Sequence, residues 1–135
     1  MTLHVELVSP EQVLYSGDAD MVVCRTTDGE IAFLTGHAQF VGSLGIGEVR
    51  VFEPDGEVVH AAVHGGFVEV SNDRVTVLSD VAELADQIDV ARAQRAAEQA
   101  ELGVREGHPE AEAALRRAQV RIAVAQSSTT ARPAH

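Results

Sequence analysis

Glu30 and His37 stand seven residues apart in the stretch DGEIAFLTGHAQF, Asp28 to Phe40, a carboxylate and an imidazole around an apolar run with a glycine at each turn. Such a pair could act as general acid and base in a small hydrolase. The rest of an active site is missing from the pattern. The serines lie in turns or near the C-terminal end, without the strand-to-helix setting of a nucleophile elbow, and Cys24 falls inside an apolar run. Nothing assembles an acid, a base and an oxyanion site, so no catalytic residue is assigned. His60 and His64 in HAAVH have the spacing of a helical zinc site. Their segment reads as a strand, however, where they would stand about 13 Å apart at roughly 3.3 Å per residue, too far to share an ion. They are expected as two exposed strand histidines, and no metal site is expected. GIG at Gly45 to Gly47 is too short for a phosphate loop and precedes a strand, so it reads as a turn.

A second constellation lies in IDVARA, Ile88 to Ala93, where Asp89 and Arg92 are one helical turn apart and Arg116, Arg117 and Arg121 follow on a further helix. Clustered arginines with a carboxylate suit a nucleotide's phosphates. They suit solvent-facing ion pairs equally well, as Glu101 with Arg105 would be, each worth a few tenths of a kcal/mol. Spacing alone favours the ion pairs.

The elements that must position these residues fall into two textures. Up to Leu84 apolar residues recur with period two, in Leu3-Val5-Leu7, MVVCR, EIAFL, FVGSL, EVRVF, EVVHAAV, GFVEV and RVTVL. Between them SGD, DG, TGH, GIG, PDG, GG and SND supply glycine, asparagine or aspartate where turns need positive φ. The product is an α+β chain whose first part, residues 1–84, is an antiparallel β-sandwich. Residues 85–126 are alanine-rich and read as a helical hairpin: Asp86 caps the first helix, Gly107 closes it, and Pro109 opens the second at its first position. Ala93, Ala97, Ala100 and Val104 share one face of the first helix, and Ala111, Leu115, Ala118, Ile122 and Ala125 one face of the second. Residues 127–135, SSTTARPAH, are expected as a flexible tail.

Composition narrows the function. The net charge of −11 opposes nucleic-acid binding, which rests on clustered cations. All of that excess lies before Ala85: 14 acidic residues face three arginines there, against seven of each afterwards. No apolar run approaches the roughly 20 residues that span a bilayer, and MTLHVELVSPEQ lacks the basic and apolar segments of a secretory signal, so a cytoplasmic chain without membrane insertion is expected. The single cysteine excludes an internal disulfide and reads as a buried apolar thiol.

In the order of its motifs the chain resembles the epsilon subunit of bacterial F-type ATP synthases, with the actinobacterial members and their short second helix nearest. VSPEQVLYSGDAD, GEIAFLTGHAQF, VHGGFVEVSNDRVTVLSD and AELADQIDVARAQRAAEQAE carry the resemblance, from Met1 to about Gln126. It implies a non-catalytic rotor subunit of the central stalk, at the cytoplasmic face of the cell membrane as a peripheral part of the synthase. By position, Glu30 and His37 match residues that face the c-ring, and Gly42, Ser43 and Leu44 match the side that faces the gamma subunit. The hairpin matches an element that regulates ATP hydrolysis by folding on the sandwich or extending transiently to the alpha and beta catalytic subunits. Glu83, Ile88, Asp89, Arg92 and Ala93, with Arg116, Arg117 and Arg121 for the phosphates, match a possible weak ATP site. No cofactor is required. Gln99 stands where members that bind ATP well carry a base, and Gln39 where most have proline. The alternative from another class is a stand-alone ATP-sensing module.

Overall fold

The computed structural model describes residues 2–131. Eight strands come first: β1 (Leu3–Val8), β2 (Val13–Ala19), β3 (Met21–Thr26), β4 (Gly29–Leu34), β5 (Phe40–Phe52), β6 (Val58–Ser71), β7 (Arg74–Leu78) and β8 (Ala82–Leu84). A 3₁₀ turn, Ala85–Gln87, leads into α1 (Val90–Arg105) and α2 (Ala111–Ala131).

Two long strands organise the sandwich. β5 and β6 pair antiparallel in one register from Phe40↔Val70 to Phe52↔Val58, skipping only the level of Gly45 and Gly65. The GIG and GG motifs expected as turns therefore lie inside strands, opposite each other, and SGD lies inside β2. The reason is local. Gly65 and Gly66 adopt φ +87° and +116°, so β6 changes direction without leaving its ladder, and the hydroxyl of buried Ser79 lies 2.7 Å from the Gly65 carbonyl. Beyond this corner Phe67–Ser71 pairs with β7, β7 with β1 and β1 with β2; before it β5 pairs with β3, β3 with β4, and Ala61–Val63 with β8. One eight-stranded sheet thus folds over itself. The pairing is antiparallel except between β1 and β7, which run parallel; the five strands of chain between them provide the long connection a parallel pair needs. The turn at Asn72 and Asp73, with φ +51° and +59°, is the tight hairpin that SND predicts.

Alternate residues of the two layers fill the space between them. Leu3, Val5, Leu7, Val68, Val70, Val75 and Val77 meet Val22, Cys24, Phe33, Val49, Val51 and Val63, all buried. Burial alone pushes the Cys24 thiol up to about 12, so the expectation of an inert core thiol holds.

The hairpin differs from expectation at three ends. Asp89, not Asp86, caps α1, its carboxylate accepting from the Arg92 N–H at 3.0 Å, because Ala85–Gln87 forms its own 3₁₀ turn first. Pro109 lies in the turn before α2 rather than at its first helical position. α2 runs on to Ala131, about a turn past Gln126, since no breaker intervenes before Pro133; residues 132–135 of the expected tail lie outside the described residues. The alanine faces meet as the spacing requires: Ala93, Ala97 and Ala100 of α1 and Ala111, Ala118 and Val124 of α2 are buried. α1 packs on α2, and α2 lies across β6 and β5.

Candidate functional site

Glu30 and His37 do not form a pair. Glu30 lies near the start of β4, opposite Arg25 on β3, while His37 follows the strand's far end, its N–H donating to the Leu34 carbonyl. Four residues of strand, roughly 13 Å, separate Glu30 from Leu34 alone, which removes a shared acid–base role. Each is nevertheless presented outward. The Glu30 carboxylate is half-exposed and sits 3.3 Å from the Arg50 guanidinium. Arg50 also reaches Glu48, which accepts from His60 Nδ1 at 2.7 Å, so an ionic chain crosses the sheet from β4 to β6. His37 is held in a braced loop. Its ring stands edge-on to buried Phe33 with centroids 5.0 Å apart, the Gly36 N–H donates to the Asp73 carboxylate at 2.7 Å, and Gln39 Nε2 donates to Ser71 Oγ at 3.3 Å. The last contact supplies through a side chain the restraint that proline would give through its ring.

Gly42, Ser43 and Leu44 lie on β5 opposite Val68, Phe67 and Gly66. Leu44 is buried in the core, which takes its side chain out of any surface; Gly42 is covered by the Phe40 ring, whose nearest atom would lie 2.7 Å from an added Cβ. Ser43 points outward and is flanked by an apolar patch that sequence reasoning missed. Val41 (70% exposed), Phe67 (57%) and Leu78 (46%) occupy the outer face of β5, β6 and β7, with Phe67 directly opposite both Ser43 and Leu78. A signal was present: FV at Phe40–Val41 and GFV at Gly65's strand put large apolar residues on both faces, against the alternation of a half-exposed sheet.

The residues of the IDVARA constellation separate into two places. Glu83, Asp89, Arg92, Ala93 and Arg121 line one cleft of about 370 Å³ between β8, the α1 N-terminus and α2, together with Gln87 and Ala96. Ile88 does not line it, Arg116 is exposed on α2, and Arg117 lies instead beside His64, Leu44 and Ile46 in a neighbouring cleft. Within the first cleft two of the charged groups are already engaged. Arg121 Nε donates to Glu83 at 2.5 Å, and the Asp89 carboxylate is engaged as the α1 cap. Its volume falls in the range of small-molecule pockets, but an incoming anion must compete with Glu83 for Arg121.

His60 and His64 are not the exposed pair the strand pattern predicts. They share the β6 face that α2 and β8 cover; His60 is 8% exposed, and both ring nitrogens of His64 are buried. Among the described residues no cluster of three metal-binding side chains occurs, and no helix is long and apolar enough to cross a membrane.

Residues 2–85 match the ATP synthase delta/epsilon chain β-sandwich domain. The ATP synthase epsilon chain of Streptomyces avermitilis is 46% identical over 89% of this chain and 92% of its own length, and that of Halalkalibacterium halodurans is 44% identical over 92% and 97%. Among solved structures, a chain of the Euglena gracilis mitochondrial ATP synthase (OSCP/F1/c-ring) has the same fold at TM-score 0.70 and 21% identity, covering 96% of this chain and 81% of that one. With the sandwich matched throughout and relatives aligned along nearly all of both partners' lengths, this chain belongs to the ATP synthase epsilon chain family.

Proposed function

We propose that this epsilon chain works as a non-catalytic rotor subunit of a proton-translocating F-type ATP synthase, held at the cytoplasmic face of the cell membrane by its partners. One observation carries the reading: Val41, one level along the outer face from the Ser43–Phe67–Leu78 rung, joins Phe67 and Leu78 in an apolar patch that stays exposed among the described residues. Exposed aromatic and aliphatic groups clustered in this way mark a protein interface, and this rung would seat the sandwich on the gamma subunit, with Ser43 beside it. The outward Glu30 and His37, at the two ends of β4, would meet the polar loops of the c-ring, where acidic groups give close-range complementarity. Phe67→Glu should weaken capture of the chain by an immobilised gamma subunit by tenfold or more, an interfacial anchor being worth about 2 kcal/mol or above. Undiminished capture of a folded Phe67→Glu chain would sink the assignment of this face.

The hairpin is the regulatory element in this reading, folded on the sandwich or extended toward the alpha and beta catalytic subunits. Weak ATP binding in its cleft is supported by Arg92 and Arg121 lining one space with Asp89 and Ala93; calorimetry at millimolar ATP tests it, and absence of heat removes it. A chain that takes up ATP yet fails to bind gamma would be the stand-alone nucleotide sensor instead.

A further inference from the structure

We propose that His64 is an acid-sensitive release for the helical hairpin: a proton taken up by its imidazole beneath α2 sets a third cation beside Arg117 and Arg121 and weakens the hold of α2 on the β5–β6 face. The geometry is specific to this residue. His64 sits on β6 just before the glycine corner, its backbone N–H donating to the Val81 carbonyl at 3.0 Å. Both ring nitrogens are buried, and neither finds a hydrogen-bond partner among the described residues. An imidazolium there would carry two N–H donors with nothing to receive them.

The surrounding charges come from every element packed on it. α2 contributes Arg117, which shares a cleft with His64, and Arg121; β8 contributes Glu83, which Arg121 already engages; Asp80 lines the solvent side of the ring's other flank. β5 offers apolar Leu44 and Ile46, and its Glu48 is turned to His60. Burial, then Arg121, with Arg117 adding and Glu83 opposing, pushes the imidazole down to about 4. The sign follows. The docked hairpin binds fewer protons at His64 than an undocked one, whose ring titrates near 6.5, so docking is at full strength above that value and weakens as pH falls toward 4. Allowing for solvent screening at the incompletely buried residue, going from pH 7.5 to 5.5 should raise the undocked-to-docked ratio about five- to tenfold.

The test uses the full chain without nucleotide, labelled at Asp28→Cys on the β3–β4 turn and Gln119→Cys on the outer face of α2, Cys24 being buried and unreactive. Inter-label distance distributions at pH 7.5 and 5.5 should show the five- to tenfold rise in the doubly labelled chain that retains His64, and less than a twofold change when the same chain also carries His64→Leu. A flat response, or an equal response in His64→Leu, overturns the proposal. A second measurement needs no variant at position 64: the His64 Cε1–H resonance should titrate with a midpoint below 5.5, and a midpoint at 6.5 or above overturns the proposal by itself.

Discussion

Replacing Gly66 by alanine tests the corner on which the sandwich turns. Gly66 holds φ +116°, outside the region alanine enters without strain, and an added Cβ would lie 2.1 Å from the Leu78 carbonyl oxygen and 2.9 Å from the Ser79 Cα. Both obstacles are backbone, so neither can rotate away. Strain at such a φ costs about 1–3 kcal/mol, and forced displacement of packed backbone costs about another 1–3 kcal/mol. Restricting the unfolded chain returns about 0.4–1 kcal/mol. The net loss is about 1–5.5 kcal/mol, with a midpoint of about 3, a large share of the 5–15 kcal/mol typical of a folded domain. Urea unfolding followed by circular dichroism measures it, with Gly65→Ala as reference: φ there is +87°, nothing lies within 4 Å of the added Cβ, and the expected loss is about 1 kcal/mol. Because Gly66 precedes Phe67, the same substitution should also reduce gamma binding in the folded fraction. A Gly66→Ala chain that loses less than about 1 kcal/mol, or no more than Gly65→Ala, would refute the corner argument.

Glu30→Arg should leave stability within about 1 kcal/mol, since an exposed ion pair to Arg50 is worth no more, yet lower ATP-driven proton pumping in the assembled complex; an unaltered pumping yield would contradict a c-ring contact. Asp89→Ala removes the α1 cap and should cost about 1 kcal/mol of helix stability, read as faster amide exchange in Val90–Ala93. Arg121→Ala should abolish any calorimetric ATP signal and also loosen α2 by freeing Glu83; ATP heat of the wild-type size in that variant would remove Arg121 from the site. Cys24, its thiol raised to about 12 by burial, should resist an aromatic disulfide reagent at pH 8 in the folded chain and react at once in urea.

Much of the fold was legible because strand period, turn chemistry and alanine spacing are local signals. Asn72–Asp73 announced its hairpin, and Ala93, Ala97 and Ala100 announced their buried face. What local reading missed was set by distant partners. Gly45 and Gly65 look like turn residues until β5 and β6 are placed side by side, when they become facing positions of one ladder. His60 and His64 look solvent-facing until α2 and β8 cover their side of β6. The site divided in the same way: Glu83, Asp89, Arg92, Ala93 and Arg121 converge, whereas the one-residue step from Arg116 to Arg117 turns these side chains to solvent and to His64 respectively. Helical spacing fixes which residues share a face, but not which face meets the sheet.

The unbroken register of β5 against β6 bears on how a rotating part survives its load. A force drawing the two strands past each other lengthwise loads the rungs on each side of the Gly45–Gly65 level together, Phe40↔Val70 to Leu44↔Gly66 in one half and Ile46↔His64 to Phe52↔Val58 in the other. A force peeling one end open would meet the rungs singly. The sandwich is therefore stiff along the β5–β6 axis and weaker across it, and the glycine corner sits midway, where a lengthwise pull is already distributed over both halves of the ladder.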